Sequence, residues 1–364
     1  MMDSRTKQTI LNLNATLEDA IRSMNSSSQR IVHVVAEDGI LQGVVTDPDI
    51  RRATLAQVPL GSPVTAIMKR DPVVGYNTST YQELINIFAK WEIYQLPILD
   101  QTGRLVGLRT VNEMLNRSMI TYPFHVVLMA GGMGTRLLPH TTHLPKPLVP
   151  VHGKPIIRII LDDLLEHGLH NIHISLFHLG DLIKQELNRY PAYDKVRFLE
   201  EDQPLGTAGA LTLLKDQAHF PILVQNADVL TTLDYHSLLR FHAAEKNDFT
   251  IVVRREKLVI PFGVVSLDGQ RVMAIREKPE HPYFANMGIY LMNKLVVQQI
   301  PAGKRYDMTT LIDHCIAMGL KVGSFPLYEY WADIGSPSDL EKAGVDLKAG
   351  DQGLMRHANR PGDY

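Results

Sequence analysis

The sequence predicts an α/β protein in which a small α+β module precedes a mostly parallel mixed sheet flanked by helices. Two observations support this prediction. An internal repeat occupies the first third of the chain, and from residue 124 short apolar strands alternate with amphipathic helices. Such alternation is typical of parallel sheets, because each crossover places a helix on a sheet face. At 364 residues the chain exceeds the usual size of one hydrophobic core, so we expect two domains.

Composition excludes several classes of protein. The formal net charge is -2, without the basic surplus that a nucleic-acid or membrane-surface partner normally requires. No apolar stretch approaches the roughly 20 residues needed to cross a bilayer, and the N-terminus lacks the apolar segment of a signal peptide. The single cysteine, Cys315, cannot form an internal disulfide. We therefore expect a cytoplasmic protein.

The repeat relates the segment "IVHVVAEDGILQGVVTDPDIRRA" at 31–53 to "QLPILDQTGRLVGLRTVNEMLNR" at 95–117. Turn glycines, a threonine and an acidic residue hold the same register in both copies. Each copy predicts a helix, an apolar strand, a tight glycine turn, a second strand and a closing helix. Two such copies each bury one sheet face, so we expect them to share a core.

These residues resemble a tandem pair of CBS domains, which we place at residues 1–118. In that family a Gly-h-h-Thr-x-x-Asp segment often binds a nucleotide, with the hydroxyl at phosphate and the acid at the ribose. The resemblance makes four residues candidates for binding an adenine nucleotide: Thr46, Asp49, Thr110 and Glu113. The same residues occupy helix N-cap and capping-box positions. The alternatives of ligand binding and of pure capping or dimer packing stay open.

The second part of the chain, at 124–345, carries the predicted parallel sheet. Ligands of such sheets bind beyond the carboxyl ends of the strands. Residues 117–123 are the expected join, and residues 346–364 are expected to form a loose tail. The predicted strands are "FHVVLMA", "NIHISLF", "VRFLEE" and "PILVQNA", and the predicted helices are "KPIIRIILDDLLEHGL" and "LGDLIKQELNRY".

A glycine-rich loop, "LMAGGMGTRLLPHTTHLPKPL" at 128–148, follows the first of these strands. It matches neither a P-loop nor a dinucleotide fingerprint. Its bare backbone can approach a ligand closely. Arg136 can bind phosphate oxygens in a bidentate manner, and Lys146 lies between Pro145 and Pro147, which restrict its backbone. Two cations beyond one strand favour a polyphosphate ligand.

The longer run "AGGMGTRLLPHTTHLPKPLVPVHGKPII" at 130–157 resembles the signature of the sugar-1-phosphate nucleotidyltransferases, and the resemblance extends over about 124–340. It implies a Rossmann-like nucleotide-diphospho-sugar transferase fold, with Arg136 and Lys146 as catalytic residues. The segment "DQPLGTAGAL" at 202–211 resembles the second nucleotide segment of the family. The residues that the resemblance assigns to nucleotide binding are Ala130, Gly131, Gly132, Gly134, Thr135, Gly206, Thr207 and Gly209.

Two aspartates are the expected ligands of Mg²⁺. Asp228 ends the strand "ILVQNADVL", and Asp333 lies in "YWADIGSPSDL". Magnesium prefers hard oxygen ligands and retains waters, so two carboxylates with substrate phosphates suffice. By the same resemblance four residues contact the sugar phosphate: Gly263, Glu277, Lys278 and Asn286. The fifteen histidines show no zinc-binding spacing.

The resemblance implies the reaction of a nucleoside triphosphate with a hexose-1-phosphate to give a nucleoside-diphosphate sugar and pyrophosphate. The segment "PLGTAGAL" looks more like the guanylyltransferase branch, which favours GTP. Together with the leading repeat it resembles enzymes of mannose-1-phosphate or of glucosamine-1-phosphate, the latter in legionaminic acid synthesis. The alternatives are UTP, CTP or dTTP as substrate, or a catalytically silent nucleotide sensor. The CBS pair is expected to regulate the enzyme or to join its copies in a homo-oligomer.

Overall fold

The computed structural model describes residues 4–27, 29–91, 93–115, 124–217 and 220–348. These residues form two compact units, one within Met1–Ile120 and one within Thr121–Tyr364. The predicted join at 117–123 lies outside the described residues.

The first unit contains the two repeat copies, each with a three-stranded sheet. The strand orders are β1-β2-β3 and β4-β5-β6. The elements are α1 (Ser4–Gln8), β1 (Ile10–Asn12), α2 (Leu17–Ser27), β2 (Ile31–Val35), β3 (Leu41–Thr46), α3 (Asp47–Leu55), β4 (Gly75–Tyr76), α4 (Tyr81–Trp91), β5 (Gln95–Leu99), β6 (Leu105–Thr110) and α5 (Val111–Leu115). The matching helices begin 64 residues apart, as at Leu17 and Tyr81, and so do the last two strands of each copy.

The two copies join through their hairpin turns. The Leu41 N–H donates to the Gly103 carbonyl, and the Leu105 N–H donates to the Gly39 carbonyl, each at 3.1 Å. Beneath this junction buried side chains of both copies pack in one cluster: Ile31, Val44 and Leu108. The copies therefore share part of their core, as the repeat predicts.

The second unit is built around a seven-stranded sheet of order β11-β10-β7-β12-β17-β14-β18. Its strands are β7 (Val126–Met129), β8 (Pro150–Val151), β9 (Lys154–Pro155), β10 (Ile172–Leu176), β11 (Arg197–Glu200), β12 (Ile222–Asn226), β13 (Val229–Thr231), β14 (Phe249–Val259), β15 (Val264–Asp268), β16 (Arg271–Arg276), β17 (Glu280–Met292), β18 (Val322–Pro326) and β19 (Trp331–Asp333). Its helices are α6 (Ile156–Glu166), α7 (Gly180–Leu187), α8 (Gly206–Gly209), α9 (Tyr235–Ala244), α10 (Lys294–Val297), α11 (Met308–Ala317) and α12 (Pro337–Lys348).

The direction of the strands confirms a mostly parallel mixed sheet. β7 pairs in parallel with β10 on one side and with β12 on the other. Within the seven described strands of this sheet, β17 alone runs the opposite way, because it pairs antiparallel with both β12 and β14. The chain leaves β7 towards β10 and later returns to the other side at β12, so the order of strands reverses there. Such a switch point opens a crevice at the carboxyl ends of β7 and β12.

Apolar strand residues bury the sheet beneath its helices. Val127, Val224 and Phe249 lie in one large cluster with Leu311 and Cys315 of α11. Burial raises the pKa of the Cys315 thiol above its usual value, which makes this cysteine unreactive.

The far end of the second unit departs from this layered plan. β14 and β17 continue beyond the sheet as a two-stranded ribbon, and their ends from Lys257 and up to Phe284 are exposed. Between them the chain forms the separate β15–β16 hairpin. We call β15, β16 and the exposed ends of β14 and β17 the arm.

Helix α12 extends to Lys348, so residues 346–348 are helical where the sequence favours a loose tail. The rest of that tail, 349–364, lies outside the described residues. Among the described helices, none has the length and apolar character needed to cross a bilayer.

Candidate active site

The glycine-rich loop leaves the sheet at the switch point. Ala130 continues the parallel register, because its N–H donates to the Ser175 carbonyl at 3.0 Å. Gly131 then passes close to a carboxylate: a Cβ added there would lie 3.1 Å from Glu201 Oε1. A Cβ on Gly132 would meet no atom within 4 Å. The loop is therefore packed on one side and open on the other, as a ligand cradle requires.

Gly134 brings the loop against Lys146. Its φ is +63°, and an added Cβ would lie 3.2 Å from both Lys146 Cβ and Thr141 Cγ2. The Thr141 hydroxyl donates to the Gly134 carbonyl at 2.8 Å, which closes the loop. Thr135 and Arg136 follow in a 3₁₀ turn. This close approach explains why the position carries glycine.

Two aspartates that lie far apart in sequence meet across a short ladder. Asp228 follows β12 and immediately precedes β13, which pairs antiparallel with β19 so that Val229 lies opposite Asp333. The Ile334 N–H donates to the Asp228 carbonyl at 3.0 Å. The ladder thus fixes both carboxylates at the carboxyl end of β12.

Both predicted catalytic cations lie at these carboxylates. Lys146 Nζ donates to Asp228 Oδ2 and lies 3.7 Å from Asp333 Oδ1. A Cβ on Gly335 would lie 3.5 Å from Arg136 Nη1 and 3.6 Å from Asp333 Oδ1, so the Arg136 guanidinium lies on the same side. The structure therefore brings together four residues that the sequence predicts as a site.

The surroundings of Asp333 favour the protonated form of its carboxyl group. Burial and the neighbouring Asp228 carboxylate raise the pKa of Asp333 above its usual value, while Lys146 and Arg136 act in the opposite direction. Asp228 Oδ1 and Asp333 Oδ1 are buried and accept no hydrogen bond. Buried carboxylate oxygens without donors are costly, unless a cation or ligand group completes the site.

The donor set fits magnesium. Within the described part of the chain, no group of three or more His, Cys, Asp or Glu side chains is arranged to bind a metal ion. A pair of carboxylates with two buried unsatisfied oxygens supplies hard ligands and leaves coordination positions for water and phosphate. Asp228 and Asp333 are therefore the residues that would hold the ion.

The second glycine segment makes its close contacts with other residues of the same chain. At Gly206 φ is +78°, and an added Cβ would lie 2.5 Å from Asp307 Oδ1. Thr207 Oγ1 accepts from the Met308 N–H at 2.8 Å, and the Gly209 N–H donates to the Tyr306 carbonyl at 3.0 Å. These contacts account for the glycines without a ligand, so their role in nucleotide binding stays a prediction.

The predicted sugar residues fall into two places. In the arm, a Cβ on Gly263 would lie 3.0 Å from Glu277 Oε2, and Lys278 has a positive φ of 43°. Asn286 lies nearer the sheet, where its amide donates to the Tyr290 hydroxyl at 2.9 Å. Within the described residues, neither Glu277 nor Lys278 contacts the paired aspartates. Their sugar contacts stay predictions.

Asn286 lies near β12, the strand that precedes Asp228. Asn286 Oδ1 accepts from the Gly288 N–H at 3.0 Å, and a Cβ on Gly288 would lie 2.7 Å from Asn226 Nδ2. The Trp331 indole donates to the Met287 carbonyl at 3.0 Å. This part of β17 therefore contacts β19, which carries Asp333, and β12, which leads to Asp228.

In the first unit the predicted nucleotide residues form caps. The Thr46 hydroxyl donates to Asp49 Oδ2 at 2.5 Å, and the Thr46 N–H donates to the same oxygen at 2.9 Å. The Thr110 N–H donates to Glu113 Oε2 at 3.1 Å, and Thr110 Oγ1 accepts from the Glu113 N–H at 3.2 Å. Both copies therefore show the capping arrangement, and ligand binding by these residues stays a prediction.

Sequence reasoning missed Glu201. It follows β11, accepts from the Ser175 hydroxyl and from the Leu205 N–H at 2.8 Å, and lies against Gly131. It thus connects the two glycine segments. The sequence did indicate Glu201, because it directly follows the carboxyl end of a parallel strand, where ligands of such sheets bind. Asp228 has a similar position just after β12.

Gln225 was also missed, although it shapes the loop before Asp228. Its amide donates to the Val229 carbonyl at 3.1 Å and accepts from the Tyr235 hydroxyl at 2.9 Å. Gln225 is buried, so its position in an apolar strand is the only sequence signal that could have drawn attention to it.

Both units match families of known proteins. The second unit matches the nucleotidyl transferase family over residues 125–350, and the first matches the CBS domain at 5–56 and 64–118. A mannose-1-phosphate guanylyltransferase of Mycobacterium tuberculosis is 30% identical over 64% of this chain and 67% of its own. The bifunctional protein GlmU of Methanocaldococcus jannaschii is 31% identical over 61% and 56%, and a mannose-1-phosphate guanyltransferase of Schizosaccharomyces pombe is 31% identical over 58% and 61%. The chain thus spans about three fifths of these relatives.

Solved structures support the same relationship. HddC of Yersinia pseudotuberculosis is 28% identical, with a TM-score of 0.50 over 62% of this chain and 99% of that one. Its complex with GMP-PN matches with 27% identity and the same TM-score and coverage. The family match covers more than half of the chain and contains the paired aspartates and both cations. The chain therefore belongs to the nucleotidyl transferase family, with a pair of CBS domains ahead of its nucleotidyl transferase region.

Proposed function

We propose that this protein transfers a nucleotidyl group from a nucleoside triphosphate, preferably GTP, to a hexose-1-phosphate and releases pyrophosphate. The proposal rests on four side chains that lie together at the switch point of the sheet: Arg136, Lys146, Asp228 and Asp333. Two cations beside a magnesium-type carboxylate pair are suited to a polyphosphate in contact with a second anion.

The proposed mechanism rests on alignment and charge. A sugar phosphate oxygen attacks the α-phosphorus in line with the departing pyrophosphate, and a phosphate dianion needs neither a protein nucleophile nor a general base. Lys146 and Arg136 offset the charge of the two anions, and the glycine loop lets backbone N–H groups approach the phosphates. Asp228 and Asp333 are the residues that would hold a magnesium ion, which would supply stabilisation of negative charge at the phosphates.

Lys146 also stabilises the site before substrate binds. Its ion pair with Asp228 compensates a carboxylate that otherwise faces a second carboxylate across the β13–β19 ladder. When substrate binds, the Lys146 ammonium group would exchange this carboxylate for a phosphate oxygen. The side chain thus stabilises the empty site and the occupied site in turn.

Guanine is the proposed base for two reasons. The relatives include mannose-1-phosphate guanylyltransferases, and the HddC structure has been solved with GMP-PN. In addition, Glu201 lies against the glycine loop at Gly131. A carboxylate only accepts hydrogen bonds, and the adjacent N1–H and N2–H₂ donors of guanine suit it, whereas the carbonyls flanking N3–H of uracil repel it.

The proposed sugar is mannose-1-phosphate or glucosamine-1-phosphate. Gly263 and Glu277 lie together, and Glu277 can accept from sugar hydroxyls while Lys278 binds the 1-phosphate. The lone cysteine is buried, in keeping with a cytoplasmic enzyme.

A pyrophosphate-release screen tests the reaction. Purified protein with magnesium is offered GTP, ATP, UTP, CTP and dTTP, each with mannose-1-phosphate, glucosamine-1-phosphate or glucose-1-phosphate. We expect pyrophosphate and a nucleoside-diphosphate sugar with GTP, and no product from the Asp228→Asn control. Consumption of no triphosphate with any sugar phosphate would refute the proposal and favour the alternative of a catalytically silent nucleotide sensor.

The CBS pair requires its own assay. We propose that it regulates the enzyme through an adenine nucleotide, although capping accounts for the contacts of Thr46 and Asp49. Calorimetry with AMP and ATP, with Asp49→Ala as the comparison, separates the two roles. Binding that Asp49→Ala abolishes supports regulation, while absence of binding with an unchanged reaction rate leaves capping and homo-oligomer formation as the role of the pair.

A further inference from the structure

The turn that carries Asp228 is bound to β19 on one of its sides. In an antiparallel ladder, residue pairs that exchange hydrogen bonds alternate with pairs that do not. The Ile334 N–H donates to the Asp228 carbonyl at 3.0 Å, so the next pair, Val229 and Asp333, is of the second kind. The Val229 carbonyl therefore faces away from β19 and takes its donor from another element.

Gln225 supplies a donor for that carbonyl. Its Nε2 donates to the Val229 carbonyl at 3.1 Å, and the residue is 1% exposed. The turn between β12 and β13 consists of Ala227 and Asp228, so this bond spans the turn from the strand before it to the strand after it. A carbonyl only accepts, which requires the amide of Gln225 to direct its nitrogen towards Val229 and its oxygen away.

Tyr235 holds the amide of Gln225 in this orientation. The Tyr235 hydroxyl donates to Gln225 Oε1 at 2.9 Å, and Tyr235 is also 1% exposed. Without that donor the amide oxygen would be buried and unsatisfied, which costs free energy that a rotation of the amide or a shift of β12 can recover. The hydroxyl thus determines whether the amide nitrogen stays at Val229.

The position of Tyr235 is itself fixed by its surroundings. It is the first residue of α9, whose N-cap Asp234 accepts from the His236 N–H at 2.9 Å. Its ring meets the His167 ring edge-on, with 5.3 Å between the centroids. Burial, and after it the Asp163 carboxylate, raise the pKa of Tyr235 well above its usual value, so the hydroxyl remains a donor at neutral and moderately alkaline pH.

The carboxylate of Asp228 needs such support. Its Oδ1 is buried and accepts no hydrogen bond, and Lys146 forms an ion pair with the other oxygen. The Asp333 carboxylate repels it across the ladder, so the backbone of the turn must hold the two groups together. Gln225 provides that restraint on the side of the turn that faces away from β19.

We propose that Gln225 and Tyr235 are positioning residues, which hold the turn so that Asp228 and Asp333 together bind the divalent ion. Both side chains act through the Val229 carbonyl, and neither is itself a ligand. The inference rests on the proposed function, in which Asp228 holds the ion. Groups that orient a metal ligand contribute roughly 10–100-fold to metal affinity, so loss of the Tyr235 hydroxyl should weaken binding of the ion about tenfold.

Titration of the full chain with Mn²⁺, without substrates, tests the proposal. Mn²⁺ takes the same oxygen ligands as Mg²⁺, and electron paramagnetic resonance measures the free ion. The variant is Tyr235→Phe. The matched control is Tyr193→Phe, because Tyr193 is 5% exposed and its hydroxyl donates to Asp162 Oδ1 at 2.7 Å. We expect the variant to bind Mn²⁺ about tenfold more weakly than the parent, and the control to bind it as the parent does.

Asp228→Asn separates failure of this inference from failure of the proposed function. If Asp228→Asn weakens Mn²⁺ binding and Tyr235→Phe binds as the parent does, Asp228 is a ligand and the positioning role is refuted. If Asp228→Asn and the parent do not differ, the inference fails together with the metal site, and the pyrophosphate-release screen then decides whether the reaction stands without it.

Gln225→Leu gives a second variant, in which a side chain of similar size neither donates nor accepts. We expect it to weaken Mn²⁺ binding at least as much as Tyr235→Phe does. The double variant should be no weaker than Gln225→Leu alone, because the hydroxyl acts through the amide. Additive losses would contradict that order of action. Melting curves from circular dichroism verify that each variant folds.

The Mg²⁺ dependence of pyrophosphate release gives an independent readout. For Tyr235→Phe we expect the Mg²⁺ concentration at half-maximal rate to rise about tenfold. At saturating Mg²⁺ kcat should approach that of the parent, and KM for the sugar phosphate should be unchanged. A purely structural defect would lower the rate by one factor at every Mg²⁺ concentration, and an unchanged half-maximal concentration would therefore refute the positioning role.

Discussion

The contact between Gly134 and Lys146 gives a sharp test of how the loop positions the lysine that we propose as catalytic. We consider Gly134→Ala. The new Cβ would lie 3.2 Å from Lys146 Cβ and 3.2 Å from Thr141 Cγ2, on a backbone with φ of +63°. The left-handed conformation costs a non-glycine residue about 1–2 kcal/mol. The two tight contacts add to that cost, because both involve atoms close to the backbone.

We therefore expect Gly134→Ala to lose roughly 2 kcal/mol of unfolding free energy, or about 4–8 °C in melting temperature. Relief of the contacts moves Lys146 by a few tenths of an ångström, and since a misplacement of about 1 Å can cost 100-fold in rate, kcat should fall about tenfold. Calorimetric melting and pyrophosphate release measure the two effects.

Gly132→Ala is the matched control in the same loop. Its Cβ would meet no protein atom within 4 Å, so its melting temperature should equal that of the parent. Any effect on activity should appear as a higher KM for the triphosphate, because the open side of the loop faces the proposed ligand. If Gly134→Ala matches Gly132→Ala in both melting temperature and kcat, the close packing of Lys146 is not what requires glycine.

Three further predictions concern charge. Arg136→Ala should lower kcat by roughly 100-fold, as for other preorganised charge contacts, and near-normal turnover would exclude a role at the phosphates. Glu201→Gln should lower the preference for GTP over other triphosphates about tenfold or more in kcat/KM, whereas an unchanged preference would place the base elsewhere. Burial opposes protonation of His167, but the hydrogen bond and charge of Asp163 outweigh it and raise its pKa to about 9. The protonated form stabilises the fold fully below pH 6.5, and this stabilisation, at most about 3 kcal/mol, is lost as pH rises to about 9. The melting temperature of the parent should therefore fall over that range, and His167→Gln should flatten the fall.

The repeat and the parallel strands could be predicted because their signals are local. Apolar runs mark β7, β10 and β12, and the 64-residue spacing of the two copies holds for the starts of both matching helix pairs and of the last two strands of each copy. The reversed direction of β17 has no such signal, since strand direction depends on which partner the strand meets. The exposure of the hairpin was missed for a related reason: alternation of apolar residues, as in Val265 and Leu267, predicts a half-buried strand but does not identify what buries it.

Local sequence signals predict some residues of the site and not others. Asp228 could be placed from the strand that precedes it, whereas Asp333, 105 residues later, could be placed only by resemblance to a family. What joins them is the β13–β19 ladder, a pairing of three-residue strands that no local pattern encodes. The pairing also contributes to the electrostatics, because burial and, after it, the neighbouring Asp228 carboxylate raise the pKa of Asp333.

The glycines show most clearly what a local sequence signal does not predict. Gly134 and Gly206 both have positive φ, and both were expected to let backbone approach a nucleotide. In the structure Gly134 approaches Lys146, while Gly206 approaches Asp307 and the Tyr306 carbonyl. A glycine in sequence predicts that something comes close, and only the fold determines whether it is ligand, side chain or backbone. Charged residues at strand ends are the stronger indicators of function, because burying them without a partner costs free energy that a bound ion or phosphate recovers.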